Sequence, residues 1–153
     1  HFAYTIGLLH LAGLVAVEHW AVHTHEVALK FAWKGFPLDA TADEKDLLGF
    51  TSASVAGALL KTWGFQPQIA EPIRWQFAPE AAGANRKMAC LLYVSKWLRD
   101  SAQLEDPKAR PPLPDAKILA ASGVPKDELD GLCISVAEEF ARAGKLLSPQ
   151  RPE

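Results

Sequence analysis

Histidine is the residue type whose placement could do chemistry in this chain. His1, His10, His19, His23 and His25 all fall near the N-terminus. His19 and His23 stand one helical turn apart, so a helix puts them on one face, as in many metal sites. Glu18 and Glu26 lie close by in sequence. No later histidine closes a multi-ligand site, so a polar helix edge and loop carrying histidines by chance is the expected reading. A pH-sensing cluster is physically allowed, because imidazole titrates near neutrality, but nothing in the pattern supports it. The sequence has no Gly-rich phosphate loop, no Cys-x-x-Cys pair and no Gly-x-Ser-x-Gly elbow. Lys30, Lys34, Arg74, Arg86, Lys87, Lys96 and Arg99 are scattered and read as a solvated face, not a nucleic-acid track. Trp20, Trp33, Trp63, Trp75 and Trp97 sit in apolar helical contexts, so core packing is expected, with one or two free to anchor a partner.

The chain that must position these groups has 153 residues, enough for one domain with a real core. Apolar residues make up 49 % and charged residues 22 %, the balance of an ordinary globular protein. A formal charge of −2 gives no global pull toward nucleic acid or anionic lipid. Cys90 and Cys133 form no close-spaced motif and are expected to be buried, reduced thiols of a cytosolic protein. The apolar run Ile6 to Val17, interrupted by His10, falls short of the ~20 residues a membrane span needs and lacks the features of a signal peptide. The chain opens at His1 inside an apolar helical pattern, which reads as a fragment of something longer.

Helical spacing runs throughout, with no convincing strand. Phe2 to about Ala32 is helical, with breaks expected near Gly13 and Ala21, and Gly35-Phe36-Pro37 ends the block. Thr41-Ala-Asp-Glu44 has the form of a capping box for a short helix through Leu48, closed at Gly49. A helix from Thr51 or Ser52 should present Val55, Leu59 and Trp63 as one face and stop at Gly64. Pro67 suits the first turn of a helix through about Phe77, and Asn85 suits the N-cap of a long one through Arg99 to Gln103. Glu105 to Pro114 is a Pro-rich link. An amphipathic helix follows, with Leu129, Leu132, Cys133, Val136, Phe140, Ala143 and Leu147 on one face. The division expected is a helical core over 1–104, the link at 105–114 and C-terminal helices over 115–153 that pack on the core, ending in a frayed tail. The link is expected to decouple the last helix, making it the most movable element.

Several of these stretches, in order, resemble the HDOD family, a branch of the HD phosphohydrolase superfamily. Ile6-Gly-Leu-Leu-His-Leu11 resembles its "GLLHD" segment. Gly49-Phe-Thr-Ser-Ala-Ser-Val-Ala-Gly-Ala-Leu-Leu60 resembles the "G-x-x-H-A-E-V-G-A-x-L-L" helix, and Lys61-Thr-Trp-Gly64 with Pro67 resembles "x-x-W-G-L-P". Ile73-Arg-Trp-Gln-Phe-Ala-Pro79 resembles "A-I-x-x-H-H-x-P", and Leu92-Tyr-Val-Ser-Lys96 resembles "V-H-x-A-D". The resemblance covers about residues 2 to 100, with a weaker match over 116–147, and it suggests the C-terminal, HD-like half of the domain.

In HD enzymes, a His-Asp pair, further histidines and a last Asp hold metal that polarises phosphate and activates water. Carried over position by position, only the first His remains, as His10. Leu11 stands at the Asp, Ser52 at the helix His, Gln76 and Phe77 at the His-His pair, and Lys96 at the last Asp. Leu11 and Phe77 offer no lone pair, and Lys96 puts a cation where a carboxylate would attract one. Leu11 and Phe77 are therefore expected to fill the old pocket by packing, with Ser52 and Gln76 free to hydrogen-bond His10 or Lys96.

The resemblance implies an all-α, compact HD-superfamily bundle of about six to eight helices. It further implies a bacterial, cytoplasmic signal-transduction module with no catalytic residues, no metal and no cofactor. Such a module works by contact with a protein partner or an additional signalling domain. No nucleic-acid or membrane partner is expected, and a homo-oligomer is allowed. Two alternatives stand beside this: a sensor that takes a nucleotide or small anion in the degenerate pocket, and a metal-dependent phosphohydrolase rebuilt around His19 and His23.

Overall fold

A computed structural model describes residues 2–25, 41–104 and 106–147. Every regular element among them is helical, as the periodicity predicts. Trp33 and the turn at Gly35-Phe36-Pro37 lie outside the described residues.

The N-terminal block is α1 (Phe2–Leu9) and α2 (Ala12–His25). The chain breaks between them at His10–Leu11, and Gly13 and Ala21 lie inside α2, contrary to the breaks the sequence suggests. The reason for the break is local: His10 Nδ1–H donates to Gly7 O at 2.7 Å, so the ring closes off the end of α1. Gly13 has a different task. A Cβ there would collide with the Ser52 carbonyl oxygen and come within 2.8 Å of the Ala56 Cβ. The glycine is what lets α2 lie against α4 (Ser52–Thr62).

A short helix α3 (Thr41–Leu48) ends at Gly49 in the left-handed region, φ +77°. Glu44 is buried, and its Oε2 accepts the Ser52 backbone N–H of α4 at 2.8 Å. A capping box is formed by Thr51 and Ser54, whose side chains each satisfy the other's backbone N–H. A carboxylate and a hydroxyl thus serve the positive end of α4.

The buried face of α4 is Ser52, Ala53, Ala56, Gly57 and Leu60. Val55 and Leu59 are half-buried and Trp63 is 58 % exposed, so the larger apolar residues mark the flank of the face and not its centre. Small residues win because α4 is gripped on both sides, by α2 and by α5 (Pro67–Arg74). After α5 the chain turns through a 3-10 segment, Pro79–Asn85, into the long α6 (Arg86–Ala102).

One cluster, Ile6, Ala56, Leu60, Ile69, Ala70, Ile73 and Leu92, joins α1, α4, α5 and α6. A second is built from Val94, Trp97 and Leu98 of α6 with Leu119 of α7 (Ala116–Ser122) and Leu129 and Cys133 of α8 (Leu129–Leu147). α6 is therefore the shared wall of both clusters.

The Pro-rich link does not decouple the last helices. Trp97, 2 % exposed, donates its indole N–H to the carbonyls of Pro111 (3.2 Å) and Pro112 (2.9 Å), and Arg110 pairs with Asp130 at 2.7 Å. The first turns of α8 pack on α6, while residues 138–144 are exposed all round, with Phe140 at 44 %. Trp20 and Trp63 are also substantially exposed, so of the described tryptophans Trp97 most fully meets the core expectation. The apolar N-terminal stretch is longer than the Ile6–Val17 run suggests. Phe2–His23 reaches a mean hydropathy of 1.4 and is long enough to cross a membrane by length and composition alone.

The α2–α4 crossing makes a sharp prediction. Gly13→Ala sets a Cβ against backbone and should destabilise the fold by about 1–3 kcal/mol. Gly57→Ala sets a Cβ 2.7 Å from the Arg74 Cβ, the fixed base of that side chain, so it too should destabilise, but less than Gly13→Ala because no backbone atom is met. Thermal melts followed by circular dichroism compare the two.

Candidate functional site

Helices α1, α5 and α6 bring four of the six candidate residues together. His10 stands at the α1–α2 break, Gln76 and Phe77 in the turn after α5, and Lys96 in the middle of α6. Lys96 is 4 % exposed and Gln76 is 3 % exposed. The Lys96 Nζ donates to Gln76 Oε1 at 3.2 Å and sits 3.5 Å from the centre of the Phe77 ring. The Gln76 Nε2 in turn donates to the His10 backbone carbonyl at 3.0 Å.

The arrangement is a relay. An ammonium polarises an amide, the amide grips the α1–α2 break, and an aromatic face lies under the cation. Burying a lysine is costly unless the charge is met by hydrogen bonds and polarisable surface. Gln76 and Phe77 supply these, so both side chains take part in holding the charge. Leu11, half-buried in the same break, brings only hydrocarbon.

Ser52 is buried at the first turn of α4, as a site residue should be, but its backbone N–H goes to Glu44 and not to the relay. Glu44 is the residue that sequence reasoning misses. Its partner lies eight positions away across a turn, beyond the range of local capping patterns.

His10 keeps the pose of a metal ligand. Its Nδ1–H is held by Gly7 O, which leaves Nε2 as the lone-pair nitrogen. That Nε2 is buried and has no hydrogen-bond partner. The surroundings do not fit a divalent ion: Leu11 and Phe77 have no donor atoms, Gln76 Oε1 is occupied by the ammonium, and Lys96 would repel a second cation. Among the described residues no group of three or more His, Cys, Asp or Glu side chains could hold a metal. Burial pushes the His10 pKa below 6.5, against the Gly7 hydrogen bond that raises it, and the charges of Lys96 and Arg99 lower it further.

The second histidine candidate lies elsewhere. His19 and His23 are exposed on α2, their rings 4.0 Å apart between centroids, and His23 Nδ1 donates to the His19 carbonyl at 2.8 Å. Both thiols are buried, and desolvation raises their pKa values, so neither is a ready nucleophile. Beside Phe77, on the α3–α4–α5 side, lies a cleft of ≈ 250 Å³ lined by residues that include Lys45, Thr51, Ser54, Arg74 and Trp75.

Lys96→Met should leave Gln76 Oε1 buried without its donor and cost about 1–3 kcal/mol. It should also move the His10 pKa upward, toward 6.5, by removing one of the depressing charges. Because the folded pKa is lowered, the unfolded chain binds protons the folded one does not once the pH falls below 6.5. His10 therefore contributes stability above that value that is lost as the pH drops through its folded pKa, and the variant should show a shallower loss. NMR titration of the His10 ring and denaturant melts at pH 7.5 and 5.5 read both effects.

The sequence model of the HDOD domain family matches residues 1–79, slightly over half of the chain and its N-terminal part. The assignment to the C-terminal half of that domain is not borne out. No curated protein and no solved structure matches the chain.

Proposed function

The chain belongs to the HDOD family, a signalling-associated HD-like family, and from that premise we propose that it is a non-catalytic regulatory module of the bacterial cytoplasm acting through protein contacts. The observation that carries this reading is the Lys96 ammonium, which stands where the resemblance puts a metal-binding carboxylate and is engaged with Gln76 and Phe77. A phosphohydrolase needs an electrophilic ion and an activated water at this place. Among the described side chains here the donors for such an ion are not assembled. A rebuilt centre around His19 and His23 has two ring donors on an open helix face and no third ligand among the described residues.

What remains available is surface. Tyr4, Leu8, Val15 and Val22 are between 43 % and 73 % exposed along α1 and α2. Residues 2–25 carry no Lys or Arg to seat them at a lipid headgroup layer, so a protein partner or an attached signalling domain suits them better than a membrane. The purified protein, supplied with Mn²⁺, Mg²⁺ or Fe²⁺, should release no product from nucleoside triphosphates or cyclic dinucleotides. Metal-dependent hydrolysis that His10→Ala abolishes would overturn the reading.

A second reading, a sensor of a nucleotide or small anion, is favoured by the cleft beside Phe77. There two cations, Lys45 and Arg74, flank the hydroxyl residues Thr51 and Ser54 and an aromatic wall. A ligand at 100 times its Kd stabilises a fold by about 2.7 kcal/mol. A thermal-shift screen of nucleotides and phosphate compounds should then show a clear rise that Arg74→Ala removes; a flat screen counts against the sensor.

A further inference from the structure

We propose that His19 and His23 form half of a zinc-class metal site on the outer face of α2, and that the same pair from a second copy of this chain supplies the other two ligands. This does not rest on the non-catalytic role proposed above. The two rings come from one helix, four residues apart, and already lie side by side with centroids 4.0 Å apart. In His23 the proton is on Nδ1, where it is donated to the His19 carbonyl, so Nε2 is the free lone pair. A backbone carbonyl holding the far ring nitrogen is the orientation that metal-ligating imidazoles commonly have. Both residues are exposed, so the ring edges are open to an ion and small rotations bring both nitrogens to it.

Two imidazoles leave a tetrahedral ion with two open positions. No third His, Cys, Asp or Glu among the described residues joins them to fill one. Two exposed valines share the face of the pair. Val15, His19, Val22 and His23 follow one another at intervals that keep them on one helical face, with Val15 66 % and Val22 43 % exposed. Two such faces brought together about a twofold axis bury their valines against each other and present four imidazoles to one ion, which is the self-complementary geometry of a closed dimer. Ligands from each side of the axis are equivalent, so no further residue is required.

The test is sedimentation equilibrium of the protein with zinc chloride alone, together with cobalt(II) absorption as a report of coordination. The expected result is one ion per two chains, a doubling of mass, intense tetrahedral cobalt bands, and reversal by EDTA. His19→Ala and His23→Ala should each abolish dimer and bands while keeping the helical circular dichroism of the parent. Val15→Glu leaves the ligands in place and should abolish the dimer. Absence of metal binding, one ion per chain with unchanged mass, or a dimer that survives these substitutions would each overturn the proposal.

Discussion

A single buried ammonium organises the heart of this molecule. Lys96 enters the region between α1, α5 and α6 from the wall that both apolar clusters share, and everything near it is arranged to keep that charge tolerable. The Gln76 amide turns its oxygen to the cation and its nitrogen to the backbone at His10, so satisfying the charge also fixes the break between α1 and α2. Phe77 supplies a negative ring face. In a metal-bearing relative of such a site the central positive charge would be exchangeable and held by anionic ligands. Here it is covalently part of the chain and engages an amide oxygen and an aromatic face.

His10 separates local from long-range constraint. Its ring orientation is still set by the Gly7 carbonyl, a short-range contact that depends only on the local turn. The opposite nitrogen, which depends on partners from distant elements, has none. Burial and the nearby charges of Lys96 and Arg99 lower the pKa of the ring, which favours its neutral form beside the lysine. A protonated imidazole there would set two cations in the same poorly solvated space.

The all-helical fold is legible because helix ends are written locally: Gly49 and Gly64 adopt positive φ at helix ends, and Pro67 stands at a helix start. The relay is legible in part: Gln76 is expected to hydrogen-bond His10 or Lys96, and its two-ended amide meets both, the His10 backbone and the Lys96 ammonium. Other features are hidden for physical reasons. Periodicity weights large apolar residues, so it favours Val55, Leu59 and Trp63 in α4, whereas close helix approach selects Ala53, Ala56 and Gly57. Gly13 reads as a breaker by type, yet it is a contact residue whose missing Cβ is the point. Glu44 matches a local capping pattern, and its carboxylate meets an N-terminus made available by the fold.

The strap held by Trp97 has a consequence for association. Pro111, Pro112 and Pro114 contribute carbonyl acceptors but no backbone N–H, and the indole already takes up the first two of those carbonyls. An extended segment of this composition has little left with which to extend a neighbouring sheet, since ladder formation needs donors and acceptors in alternation. The irregular segment 111–115 is thereby poorly suited to cross-chain β pairing.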